Sequence, residues 1–254
     1  MADEVLLEVV DGVATVTLNR PDKLNIFNLA MRDALIEAVS AVRDLPGVGA
    51  MVLRANGPHF SAGADLAEFG TAAHALEARR IRWDRDPWGV LWDLPYPTIA
   101  ALHGVAMGSG LEMSLLCDVR IAAPDTRLGL PETRLGMLPA AGGTQSMTRA
   151  IGPHAALPLI ASSRTFGAAE AVSLGLVHRV VEDVDAEAAA VGARWVAMGT
   201  ALTGAARRAL HAAGDLPLEA GLELEKRLAA MALHQSGTVE GPDSGRSGGA
   251  SSAW

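Results

Sequence analysis

Glu112 and Glu132 are the acidic side chains whose surroundings suggest chemistry. Glu112 stands in MGSGLEMSLLCD, residues 107–118, an apolar helical run that opens on Gly108 and Gly110. Glutamate is rarely buried without a partner, and burying its charge is costly unless something compensates. Glu132 follows Pro131 in LGLPETRLGMLPAAGGTQ, residues 128–145. Read alone, it is a surface acid in the first turn of a helix, where the helix dipole favours negative charge. Read together, two acids on either side of a substrate suit general acid–base catalysis on a carbonyl compound.

Glycine-bearing loop–helix junctions supply the other half of that chemistry. In FSAGADL, residues 60–66, Gly63 permits a tight or left-handed turn that leaves nearby N–H groups facing a ligand. In GVAMGSGLE, Gly108 and Gly110 flank Ser109 between a strand and a helix. A helix N-terminus built from small residues presents unpaired N–H donors to developing negative charge. The same stretch fails as a dinucleotide fingerprint, because Met113 stands where the third glycine belongs.

The elements that must hold these residues alternate between strand and helix over the first half of the chain. VLLEVV (5–10) and VATVTLN (13–19) flank Asp11-Gly12 and predict a hairpin. Asn28 is placed to cap a helix running to about residue 44, with Leu29, Leu35, Ile36 and Val39 on one face. AMVLRA (50–55), PTIAALHG (97–104), DVRIAAP (118–124) and LVHRVV (176–181) read as strands. An arginine-rich helix is expected over 72–93, interrupted near Pro87, and another over about 110–116. Alternation of this kind favours an α/β fold with parallel pairings. Beyond residue 140 the pattern is mainly helical: 143–150, 154–161, 168–174, 185–199, 201–213 and 217–235. The organisation expected is a core over 1–195 and a helical region with a Gly/Ser-rich, disordered tail over 196–254.

Composition narrows the function classes. The chain has 254 residues, 50% hydrophobic and 20% charged, which suits one large globular unit with a well-developed core. The net charge of -8 disfavours nucleic-acid binding. Arg79, Arg80, Arg82 and Arg85 therefore read as a solvated helix face or a rim for phosphates. One cysteine, Cys117, excludes an internal disulfide framework and a thiolate metal cage, and it reads as a core residue. No metal site is expected. The N-terminus lacks the basic start and apolar stretch of a signal peptide, and no apolar run has the length of a membrane span. The expectation is a cytoplasmic protein without membrane contact.

Four segments, NRPDKLN, FSAGADL, HGVAMGSGLEMSLLCD and PETRLGMLPAAGGTQSMTRAIG, closely resemble the crotonase superfamily, in particular its enoyl-CoA hydratases, in that family's order and spacing. The likeness spans about residues 5–235. It implies a ClpP/crotonase-like spiral of repeated ββα units with a helical C-terminal trimerisation region, assembled as a homotrimer or a dimer of trimers. It implies Glu112 as the base that activates water and Glu132 as the acid that delivers a proton to Cα. It implies the backbone N–H groups of Ala64 and Ser109 as the oxyanion hole, where one such donor is worth roughly 3–4 kcal/mol. Asp22, Lys23 and Leu24, with Ala62, Ala64, Asp65, Leu66 and Gly108, match the segments that line the path of coenzyme A. No cofactor is implied, since coenzyme A belongs to the acyl thioester substrate.

The chain also departs from that pattern. Ser109 replaces a common glycine, Ile26 a common alanine, and Asp22 a lysine found in some relatives. The tail EGPDSGRSGGASSAW stands where relatives carry a basic, aromatic helix. Alternatives to hydration are Δ3-Δ2 isomerisation, which needs only the acid at 132, a specialised hydratase for cyclic or aromatic-pathway acyl-CoAs, and a non-catalytic or RNA-binding member. Trp83, Trp88 and Trp92 read as packing residues, though they fall where the family lines its acyl pocket. His59 and His103 read as structural.

Overall fold

Asp11 and Gly12 take positive φ angles of 48° and 81°. Their turn pairs β1 (Val5–Val10) with β2 (Val13–Leu18) antiparallel, as the Asp-Gly signal predicts. The computed structural model of the protein describes residues 3–68, 73–74 and 85–235. From β2 the sheet continues with parallel pairings through β3 (Ala50–Ala55), β4 (Thr98–Leu102), β6 (Val119–Ala122) and β9 (Arg179–Val180). The strand order is β1-β2-β3-β4-β6-β9.

Both faces of this sheet are covered, which parallel pairing requires. Side chains alternate along each strand with period two. Met51 and Leu53 of β3, and Ala100 and Leu102 of β4, join the larger core with Leu35 and Val39. Those two residues come from α1 (Leu29–Asp44), where Asn28 accepts the Met31 N–H at 2.8 Å as its cap. Val52, Ile99 and Ala101 point the other way and pack beneath α7 (Val184–Met198) through Val184, Ala188 and Val191.

A second sheet contains β5 (Val105–Met107), β7 (Arg127–Gly129) and β8 (Phe166–Gly167), with β7 central. The sequence reading did not anticipate it. Strands of two or three residues are too short to show a period, and pairing distant in sequence defines them. The other helices are α2 (Pro87–Trp92), α3 (Ser109–Leu116), α4 (Gly143–Ile151), α5 (Pro153–Ser162), α6 (Ala168–Leu174), α8 (Thr200–Ala213) and α9 (Leu218–Gln235). Of the helix expected over 72–93, Pro87–Trp92 forms α2, with the Asp86 side chain accepting the Trp88 N–H at 3.0 Å, whereas the described residues 73, 74 and 85 lie in bends. Arg79, Arg80, Arg82, Trp83 and the Gly/Ser-rich tail lie outside the described residues.

The end of α3 is tied down by charged groups. Buried Arg120 donates to the Cys117 carbonyl at 2.6 Å and the Leu176 carbonyl at 2.5 Å. Burial pushes the Cys117 thiol up to about 12, as befits a core residue rather than a nucleophile. Next to it, Asp118 accepts from Thr98 N–H at 2.7 Å and Arg207 Nε at 2.8 Å, and its other oxygen lies 2.9 Å from His211 Nε2. Arg207 and His211 belong to α8, so Asp118 joins the C-terminal helices to the core. Trp92 stacks on His211 with ring centroids 4.0 Å apart, and Trp88 packs on Phe27 at 5.1 Å. Among the described residues, no helix is long and apolar enough to cross a membrane.

Candidate active site

Gly63 and Gly108 bring the two glycine turns into contact. Both have positive φ, 102° and 51°, which side-chain-bearing residues rarely adopt. A Cβ built on either would stand 3.7 Å from the other's Cα, so the loops touch through their glycines. Each is followed by the residue expected to donate, Ala64 or Ser109. Among the described residues, neither of these two N–H groups donates a hydrogen bond within the chain. Ser109 sits at the first position of α3, where an N–H has no intrahelical acceptor. Its φ is not positive, so the backbone there does not demand glycine.

Glu132 reaches this junction from a 3-10 turn, Glu132–Leu135. A Cβ on Gly108 would lie only 2.7 Å from Glu132 Oε1, which places the carboxyl against the start of α3. Glu132 Oε2 is buried and, among the described residues, has no hydrogen-bond partner. Burial raises the pKa of this carboxyl above the usual 4.5. The plain surface acid suggested by local sequence is thus a half-buried group aimed at the glycine turn.

Glu112 lies one turn into α3 and is 2% exposed. Its N–H donates to the Gly108 carbonyl at 2.9 Å, so both acids flank the first turn of that helix. On Oε1 the partners are backbone groups: the N–H groups of Ala141 and Gly143 each donate at 2.9 Å. Two backbone donors orient the carboxylate. Gly143 opens α4, and a Cβ there would stand 2.8 Å from Glu112 Oε1. The requirement is for space as well as for a donor.

The other expected contact residues form a rim. Asp22 and Lys23 are exposed in a 3-10 turn, and Leu24 follows with φ 54°. The Leu24 carbonyl accepts the Ala62 N–H at 3.0 Å, and Phe27 N–H donates to the Gly63 carbonyl at 2.7 Å. The two predicted coenzyme-path segments therefore run side by side. Asp65 is engaged by Arg20 at 3.3 Å, whereas Leu66 is 53% exposed. His103 Nε2 lies 3.0 Å from the Gly57 carbonyl, beneath the loop. Sequence reasoning missed Ala141 and Gly143 as holders of Glu112, and it missed Asn25 and Ser61 inside the loop. The doubled glycine before a helix was the one available signal for the first pair.

Comparison with known proteins identifies the family. The enoyl-CoA hydratase/isomerase family model matches residues 8–244. A Mycobacterium bovis protein named "Probable enoyl-CoA hydratase echA8" is 38% identical over 243 residues, covering 94% of this chain and 93% of its own. The solved enoyl-CoA hydratase of Bacillus anthracis superposes with a TM-score of 0.86 at 31% identity, covering 91% of each chain. A Thermobifida fusca structure described as a complex with CoA gives 0.84 at 29% identity, covering 94% of this chain and 96% of its own. The fold is the mixed α/β crotonase fold with a helical C-terminal region. The chain belongs to the enoyl-CoA hydratase/isomerase family of enzymes.

Proposed function

We propose that the protein hydrates 2-enoyl-CoA thioesters to 3-hydroxyacyl-CoA by reversible syn addition of water. The thioester oxygen sits on the Ala64 and Ser109 N–H groups, which stabilise the enolate that develops there. Ionised Glu112 takes a proton from water as the water oxygen bonds to Cβ. Protonated Glu132 delivers its proton to Cα. The turnover leaves Glu112 protonated and Glu132 ionised, and proton exchange with solvent resets them. Coenzyme A runs along 22–24 and 62–66 as part of the substrate, and no metal or redox group is required. The protein works as a trimer or a dimer of trimers.

One observation carries this reading: two carboxyl groups in opposite settings flank one helix turn. Glu112 Oε1 holds two N–H donors, which suits a base, while the half-buried Glu132 carboxyl has an oxygen without a partner among the described residues and a raised pKa, which suits an acid. An isomerase needs only Glu132, so the supported Glu112 favours hydration. The test is loss of conjugated-thioester absorbance with crotonyl-CoA. Glu112→Gln and Glu132→Gln should each lower hydration by at least about a hundredfold with the fold retained. The wild-type hydration rate should fall as pH rises through the raised Glu132 value, because the donor proton is lost. A Glu132→Gln variant of undiminished activity would remove that residue from the mechanism, and the same result at Glu112 would remove it as the base that activates water.

A further inference from the structure

Ser61 is wholly buried where the two donor-bearing turns meet, and the proposed chemistry makes no use of its hydroxyl. The hydroxyl donates to the Asn25 carbonyl at 2.8 Å and accepts the Gly63 N–H at 3.2 Å. The Ser61 backbone reaches the opposite turn: its carbonyl accepts the Met107 N–H at 2.9 Å, and its N–H donates to the Val105 carbonyl at 2.9 Å. Gly110 of α3 packs directly on it, since a Cβ there would stand 2.8 Å from both Ser61 Cβ and its carbonyl oxygen. One residue thus touches the turn before Ala64 and the turn before Ser109.

The anchor on the far side is rigid. Asn25 is fully buried with φ 50°, a conformation tolerated by asparagine better than by most residues. Its Nδ2 donates to the Asn56 carbonyl at 2.9 Å and the His59 carbonyl at 2.8 Å, and its Oδ1 accepts the Arg20 N–H at 2.7 Å. The peptide that bears the Ala64 N–H is therefore gripped twice. Phe27 N–H holds its carbonyl end, and Ser61 Oγ holds the N–H of the glycine just before it. Removing the hydroxyl frees one grip and leaves the Gly63 N–H buried without its acceptor.

We propose that Ser61 is a positioning residue that sets the separation and direction of the Ala64 and Ser109 N–H groups, and so the polarisation of the bound acyl thioester. This rests on the hydratase reading of the same site. The experiment uses the full chain with a 2,4-dienoyl-CoA, whose absorbance shifts to longer wavelength when its carbonyl is polarised, alongside crotonyl-CoA turnover. Ser61→Ala should at least halve the spectral shift and lower kcat about tenfold, with KM changed less than about twofold. Ser61→Cys, which keeps the bulk with a weaker hydrogen bond, should fall between and serves the same comparison if the alanine variant does not fold. Thr126→Val, which removes another buried hydroxyl, bonded to the Leu102 carbonyl, should leave the shift unchanged. A Ser61→Ala protein with the wild-type shift and kcat overturns the proposal. A wild-type shift without hydration refutes the hydratase reading alone, and the Ser61 variants are then judged by the spectrum. No shift in the wild type overturns both.

Discussion

At the scale of single residues, this site depends on atoms that glycine lacks. Gly63 and Gly108 let two turns meet, and Gly143 leaves room for the carboxylate it holds. Gly143→Ala tests the last of these without touching an acid. Its Cβ would fall 2.8 Å from Glu112 Oε1 and 2.8 Å from Pro139 Cβ, so the carboxylate must turn away. A misplacement of this size in a reacting group costs on the order of a hundredfold in rate. We expect kcat for crotonyl-CoA hydration to fall by about that factor while circular dichroism stays native. An unchanged kcat would mean that the Glu112 carboxylate need not be held where Gly143 holds it.

At the scale of elements, α3 is held at both ends by different means. Its start packs on glycines, and its end is anchored by Arg120 and Asp118. Burial alone would raise the Asp118 pKa, but the His211 hydrogen bond and the Arg207 charge outweigh it and hold the pKa below the usual 3.8. A depressed carboxylate contributes stability above its unfolded value, and that stability is lost as pH falls through the folded value. Asp118→Asn leaves Arg207, 7% exposed, without its counter-charge. Breaking a buried pair from one side costs about 3–5 kcal/mol. Urea denaturation at neutral pH should show a loss of that order, and the variant should lose less further stability than the wild type below pH about 4. Equal stability would mean that the α8 junction is held by packing alone.

At the scale of the whole molecule, the C-terminal helices carry more exposed apolar surface than a solvated layer needs. Leu202 and Leu210 on α8 are 57% and 74% exposed, and Leu218 and Met231 on α9 are 73% and 55% exposed. If these side chains form one contiguous patch, they suit the proposed assembly, since contiguous apolar patches mark association surfaces. Sedimentation should give three or six times the 26.3 kDa chain mass, and Leu210→Asp combined with Leu218→Asp should shift it towards one. A wild-type protein that sediments as a single chain would refute the proposed assembly.

The sequence alone determined what depends on local order. Asn28 marked the start of α1, Asp11-Gly12 marked the hairpin, and short β-rich apolar runs marked the strands. Four motifs in one order pointed to the family, and that resemblance marked Glu112 and Glu132 as the candidate acids. Those signals are local because caps, turns and strand periods act within a few residues. Only the tertiary structure showed that Glu132 is half-buried, that backbone N–H groups some 30 residues away hold Glu112, and that Ser61 joins the two turns. It also revealed a sheet of strands two or three residues long. Each of these depends on segments distant in the chain. Burial and hydrogen-bond partnership are properties of the packed chain, so no short window of sequence contains them.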